Sequence, residues 1–213
     1  MPGQPPKKLM AFRMVHHANV AHILTHGMYA RGSANFDPSY KDIGHPTIIG
    51  NRVVKPIPFA RYGNIGEYVP FYFCGRTPML LNIKTGYGVE QLPQNDIIFL
   101  CCPVSQLVAC KQQWVFTDGN ASVLTTEFYT DLAHIGEVDW NVIGSSDFSG
   151  SAGSDRKRQK CAEFLVRSHV PANCISHIVC LSRSRRVEMQ EMVQANGLNI
   201  DIGIDTKNTF YFP

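Results

Sequence analysis

The spacing of hydrophobic and polar positions switches between a period of two and a period near three and a half, and the switches mark the predicted elements. Ala11–His16 has strand composition. Asn19–His26 spaces Val20, Ile23 and Leu24 along one apolar helix face, and Gly27 suits the left-handed position that ends such a helix. Tyr68–Cys74 (YVPFYFC) predicts an aromatic strand in which Pro70, lacking an N–H, requires an edge or a bulge. Thr77 then caps a short helix, with Pro78 at its first position and Gly86 stopping it. Asp96–Pro103 (DIIFLCCP) predicts a buried strand, Val104–Lys111 a short helix, and Trp114–Thr117 a strand closed by the turn Asp118-Gly119-Asn120. The remaining pattern predicts a helix around Glu127–Ala133 and strands at Cys161–Val166, Ser176–Ser182, Asn199–Ile204 and Phe210–Phe212. Arg185–Asn196 reads as an amphipathic helix with Val187, Met189, Met192 and Val193 on its apolar face. Ile43–Arg52 is only weakly periodic, and Gly144–Asp155 (GSSDFSGSAGSD) is a low-complexity loop. Strands and helices mix without steady βαβ alternation, which favours an α+β class.

Composition narrows the function. The chain has 213 residues, 44% hydrophobic and 17% charged, enough for one ordered core without disulfides or metal. We expect a leader over residues 1–9, rich in proline and lysine, and a single domain over residues 10–213. No apolar run approaches the roughly 20 residues of a membrane-spanning helix, and Met1–Met10 lacks the apolar stretch of a secretory signal. Seven cysteines without a C-x-x-C pair suggest free thiols in a reducing cytoplasm. A net charge of +3 permits a nucleic-acid partner without demanding one. The phosphate-binding P-loop, the dinucleotide G-x-G-x-x-G and the G-x-S-x-G nucleophile elbow are all missing. His22 and His26 share a helix face, but further zinc ligands are not apparent, so no metal is expected.

Three features carry chemistry. Glu163 opens an apolar strand between Ala162 and Phe164-Leu165-Val166. A carboxylate there is partly desolvated, which suits acid–base or charge-stabilising work, or else pairs it structurally with an arginine. In the aromatic strand, Val69, Phe71 and Phe73 form an apolar face for the core, and Tyr68, Pro70 and Tyr72 face the other way, where a cleft could hold a planar ring. The basic run Arg156, Lys157, Arg158 and Lys160 lies just ahead of Glu163, as a solvated face or as a grip on nucleic-acid phosphates.

In order, the stretches RMVH, IIGNR, YVPFYF followed by RTPML, FTDGN, and KRQKCAEFLV resemble the DarT family of DNA ADP-ribosyltransferase toxins from bacterial DarTG toxin–antitoxin systems, from about Phe12 to Phe212. The resemblance implies an ADP-ribosyltransferase-like fold, with a split central β-sheet flanked by helices and cradling NAD. It implies transfer of ADP-ribose to a base, most often thymidine, in single-stranded DNA. Guanine, RNA or protein as acceptor, or a non-catalytic strand-binding module on the same fold, are the alternatives. Matched residue by residue, Glu163 is the catalytic glutamate and Arg52 the catalytic arginine. Tyr72 and Met79 fall near the nicotinamide end of the pocket, and His16 falls in the first NAD-contacting strand. Arg13, standing where some relatives have histidine, joins Asn19, Gly27 and Arg52 among the cofactor-binding candidates. The implied partners are single-stranded DNA, held by Arg156, Lys157, Arg158 and Lys160, and a cognate macrodomain antitoxin. The enzyme is expected to act as a monomer.

Overall fold

The computed structural model describes residues 3–147 and 154–213. In chain order its strands and helices are β1 (Met10–His16), α1 (Val20–His26), β2 (Met28–Tyr29), α2 (Pro46–Val54), β3 (Tyr68–Tyr72), α3 (Pro78–Thr85), β4 (Ile97–Pro103), α4 (Val104–Ala109), β5 (Trp114–Thr117), β6 (Phe128–Tyr129), α5 (Trp140–Gly144), α6 (Arg156–Gln159), β7 (Glu163–Arg167), β8 (His169–Val170), β9 (His177–Cys180), α7 (Arg183–Ala195) and β10 (Asp201–Ile204). Eight strands form one sheet in the order β10-β9-β4-β1-β3-β7-β5-β6, and β2 pairs with β8 outside it. Helices flank the sheet, as the α+β reading expects.

The run of β4 is buried at every position because the sheet is covered on both sides. Ile98, Leu100 and Cys102 face one core, shared with Ile23 and Leu24 of α1 and Met189 and Val193 of α7. Ile97, Phe99 and Cys101 face a second core, built with Leu80 and Ile83 of α3 and with Tyr211. The strand period of two thus divides one apolar run between two layers. Burying a side chain such as Phe99 or Leu100 contributes about 1.5–3 kcal/mol each.

The sheet is nearly divided between β1 and β3. β1 follows β4 in continuous register from Met10↔Pro103 to His16↔Ile97, yet its register with β3 is the single pair Phe12↔Tyr72. β3 is in turn fully paired with β7, from Tyr68↔Arg167 to Tyr72↔Glu163. Pro70 sits beside this opening. Its carbonyl accepts a hydrogen bond from Arg13 Nη1 at 2.9 Å, so the side of the proline that lacks an N–H faces a side chain rather than a ladder. The edge or bulge expected for Pro70 is therefore an interior strand opened locally by the split.

Caps fall where the residue types require. Thr77 Oγ1 accepts from Leu80 N at 3.3 Å, Pro78 takes the first position of α3, and Gly86 ends it at φ 74°. The weakly periodic stretch before Arg52 also folds as a helix, α2. His45 Nδ1 accepts from Thr47 N, Pro46 starts the helix, and none of its residues is buried, which is why its periodicity was faint.

Two expected elements differ. Glu127–Ala133 is not a helix: Phe128 and Tyr129 pair with Thr117 and Phe116 of β5, and Asp131 then caps a 3-10 turn. Cross-strand pairing, together with the ring of Tyr129 stacked on Phe116, overrides the local helical tendency there. Phe210–Phe212 is not a strand. The Asp205 carboxylate accepts the N–H groups of Lys207, Thr209, Phe210 and Tyr211, and the Tyr211 hydroxyl donates to the carbonyls of Ile97 and Val179. Of the expected loop Gly144–Asp155, residues 148–153 lie outside the described residues.

Candidate active site

The split in the sheet opens into a cavity of about 510 Å³, within the range of small-molecule sites. Arg13 of β1, Pro70 and Tyr72 of β3, Arg52 of α2, Met79 of α3 and Glu163 of β7 all line it. Five elements distant in sequence therefore meet at one concave surface. The strand face read from the sequence holds: Tyr68, Pro70 and Tyr72 line the cavity, while Val69, Phe71 and Phe73 belong to the core.

On its wall Glu163 is only 1% exposed and forms a two-pronged bridge with Arg52, Nη1 to Oε1 at 3.1 Å and Nη2 to Oε2 at 2.8 Å. A third donor, the backbone N–H of Ala121, reaches Oε1 at 3.0 Å. The Glu163 N–H itself donates to Thr117 Oγ1, whose hydroxyl donates to the carbonyl of Gly119 at 2.6 Å. The carboxylate is thus fixed from both its head and its backbone. Arg52 stands in the last turn of α2, where the helix dipole favours a cation. Burial disfavours its charge, but the adjacent Glu163 carboxylate outweighs burial and holds the guanidinium above its ordinary pKa.

Beside this pair the Tyr72 hydroxyl donates to Met79 Sδ at 3.3 Å. Burial, and secondly the charge of Glu163, push the Tyr72 phenol well above its usual pKa, so it stays a neutral donor. Arg13 anchors the opposite wall through Pro70 and, at 3.4 Å, the Tyr40 hydroxyl. Among the described residues, no group of three or more His, Cys, Asp or Glu side chains is arranged to hold a metal ion.

A sequence profile described as ssDNA thymidine ADP-ribosyltransferase, DarT, matches residues 12–212. The chain belongs to the DarT family. A DNA ADP-ribosyl transferase of Escherichia coli O127:H6 is 30% identical over 209 residues, covering 97% of this chain and 95% of that protein. A DNA ADP-ribosyl transferase of Thermus aquaticus is 27% identical over 88% of this chain and 82% of its own length. Among solved structures, Thermus sp. 2.9 DarT in complex with ADP-ribosylated ssDNA superposes with a TM-score of 0.91 at 25% identity, each chain covered in full. The same enzyme in complex with NAD+ gives 0.84 at 24% identity, over 98% of this chain and 100% of that one.

As a DarT enzyme the chain is an NAD-dependent DNA ADP-ribosyltransferase: NAD is its substrate and thymidine in single-stranded DNA its acceptor. The expected family, fold and activity stand.

The expected site residues of this DarT chain separate into two sets. Glu163, Arg52, Arg13, Tyr72 and Met79 converge on the cavity. His16, Asn19 and Gly27 are not among its lining residues. His16 is buried and accepts from Ala18 N, and burial above all lowers its pKa. Asn19 clamps both backbone groups of Lys41. Gly27 closes α1 at φ 84°, where a Cβ would lie 2.4 Å from His169 Nε2.

The basic run divides likewise. Lys157 and Arg158 both line the cavity, and of the two only Lys157 is exposed. Arg156 donates to Ser145 Oγ and the Asp147 carbonyl. Lys160 is buried and donates to the carbonyls of Val142, Ile143 and Ser145 at the end of α5, and Arg158 is forked between Asp118 and Asp155. A continuous phosphate grip therefore loses Lys160, whose ammonium is spent on α5. Sequence reasoning missed the Ala121 N–H, because a backbone donor leaves no mark in side-chain identity. The Asp118-Gly119-Asn120 turn just ahead of it was its one visible trace.

Proposed function

We propose that Glu163 and Arg52 carry the transfer of ADP-ribose from NAD to thymidine in this enzyme. The observation that bears this reading is the Arg52–Glu163 bridge on the wall of the cavity at the split, with Ala121 N–H as its third fixed partner. The residues present suit a dinucleotide substrate. Tyr72 and Met79 offer an apolar flank for a planar ring, while Arg13 and Arg52 offer positive charge toward a pyrophosphate. NAD supplies the ADP-ribosyl group as its bond to nicotinamide breaks and the bonding electrons leave with nicotinamide. Glu163 provides fixed negative charge against the positive charge that grows on the sugar carbon. A thymine ring nitrogen forms the new bond to that carbon, and Glu163 takes up the proton it loses and passes it to solvent.

Within the basic run, the exposed Lys157 is the residue we assign to a DNA phosphate, with Arg156 beside it. The base must leave the stack to reach the cavity, which favours single strands. We further propose that the enzyme acts in the cytoplasm as a monomeric toxin opposed by a macrodomain antitoxin. Family membership supports this, as does the fold shared with a Thermosipho africanus DarTG chain, of which this chain covers 51%.

Mass spectrometry of a thymine-containing single-stranded oligonucleotide after incubation with NAD and enzyme tests the reading. One ADP-ribose per modified strand and release of nicotinamide are expected. Modification of guanine-only strands, RNA or protein in its place would overturn the acceptor assignment. In cells, expression should arrest growth, and Glu163→Gln or a co-expressed macrodomain should relieve the arrest.

A further inference from the structure

Arg158 looks, in the sequence, like one more cation for a DNA backbone. In the structure it lines the cavity with only 12% of its side chain exposed, and its donors are taken up by neighbouring side chains. Nη1 and Nη2 grip the two oxygens of Asp118 at 2.7 and 2.9 Å, and Nη1 also donates to Thr126 Oγ1 at 3.2 Å. Nε and Nη2 bind Asp155. The Arg158 carbonyl accepts the N–H of Asn120 at 3.0 Å. Gly119 packs so closely on the guanidinium that an added Cβ would lie 2.3 Å from Nη1.

Every partner of its side chain except Asp155 belongs to the segment Asp118–Thr126, which carries the Ala121 N–H that donates to Glu163 Oε1. Thr126 closes the segment on itself, its hydroxyl donating to the Asn120 carbonyl at 2.7 Å. A straight path of contacts therefore runs from the Arg158 fork through Asp118 and Asn120 to the donor that orients the carboxylate. Its paired carboxylates also hold Arg158 above its usual pKa, the bond it donates to Asp155 chief among the causes.

We propose that Arg158 is a positioning residue for Glu163: it fixes the Asp118–Thr126 segment so that the Ala121 N–H and the Arg52 fork hold the carboxylate in one orientation. This rests on the reading of Glu163 as the catalytic carboxylate. Arg158 acts on the transfer step through that segment and contributes little to DNA affinity.

The test compares Arg158→Ala, Asp118→Ala, their double variant and Arg158→Lys with the parent enzyme, together with Glu163→Gln as a control. Readouts are kcat, the KM for NAD and for a thymine oligonucleotide, the salt dependence of oligonucleotide binding, and thermal unfolding. Each alanine variant should lower kcat at least tenfold while the oligonucleotide KM and the salt slope stay within twofold of the parent. The double variant should be no worse than either single one, because both remove the same link. Arg158→Lys keeps the charge and loses the fork, so it should remain folded and show the same loss of kcat. A raised oligonucleotide KM with a salt slope reduced by about one, at unchanged kcat, makes Arg158 a phosphate ligand and overturns the proposal. Additive losses in the double variant, or full kcat in Arg158→Lys, also overturn it. Full activity in Glu163→Gln is a separate failure, that of the Glu163 reading itself.

Discussion

Arg52 and Glu163 are 111 residues apart in the chain and bind each other through both prongs of a guanidinium–carboxylate fork, at 3.1 and 2.8 Å, on the wall of the cavity in the sheet's split. An ion pair buried only for stability could be replaced by apolar residues at little cost. Here Glu163 is 1% and Arg52 15% exposed, and both line the cavity, where a substrate would approach them.

The first prediction follows from this pairing. Glu163→Gln keeps the shape and the Ala121 contact but removes the charge, and should lower kcat for ADP-ribosyl transfer by about 10²–10³-fold, the usual worth of one preorganised charge-stabilising group. Isothermal titration with NAD should show affinity within a few-fold of the parent. Near-parental turnover of oligonucleotide would remove the carboxylate from the chemistry.

How much of this was legible follows from the physical kind of each signal. β4 was readable because burial on both faces leaves a continuous apolar run, and α3 because Thr77, Pro78 and Gly86 mark its ends chemically. The strand face of Tyr68, Pro70 and Tyr72 was readable from alternation alone. α2 was not, because a helix without buried residues needs no apolar stripe, and β6 was not, because two residues held by cross-strand pairing have no period to read. At the site, Glu163 betrayed itself as a charge in an apolar strand. The separate fates of Lys157 and Lys160, three residues apart, depend on where α5 ends, which the local sequence does not encode.

Those two lysines supply a second prediction. Lys157→Glu should weaken oligonucleotide binding several-fold and flatten its salt dependence, with unchanged thermal stability, since a surface charge is lost from the DNA side. Lys160→Met should do the reverse. It strands three carbonyls at the end of α5, costs about 1–3 kcal/mol, and lowers the unfolding temperature with little effect on the salt slope. Fluorescence anisotropy at several salt concentrations and thermal melts of both variants decide the matter. Equal loss of binding in both would return Lys160 to the phosphate grip.

A third concerns the wall opposite Glu163. Arg13→Met removes the cation that bridges β1 to the Pro70 carbonyl and to Tyr40 across the split. The strands there share only Phe12↔Tyr72, so no ladder replaces the lost bond. The KM for NAD should rise about tenfold, near the 1.4 kcal/mol expected of a charge-assisted hydrogen bond, with kcat changed much less. A fall in kcat alone would place Arg13 at the reacting centre.

The last prediction is one of pH. Burial alone would raise the Asp205 carboxyl, but N–H donation from Tyr211, Thr209, Phe210 and Lys207 outweighs it, so its folded pKa lies below the ordinary value. A depressed carboxyl contributes stability that is fully present above its unfolded pKa, about 3.9, and is lost as the pH falls toward and through the folded value. The segment it holds ends in Tyr211, which is wholly buried and pegs β4 to β9 through the carbonyls of Ile97 and Val179. Acid should therefore release the C-terminal segment before the rest of the sheet, visible as early loss of amide protection at residues 207–212 in hydrogen exchange. Asp205→Asn keeps the shape and should cost about 1–2 kcal/mol at neutral pH, while removing this acid step from the stability profile below roughly pH 4. A parental acid profile in Asp205→Asn would show that another carboxylate governs the release.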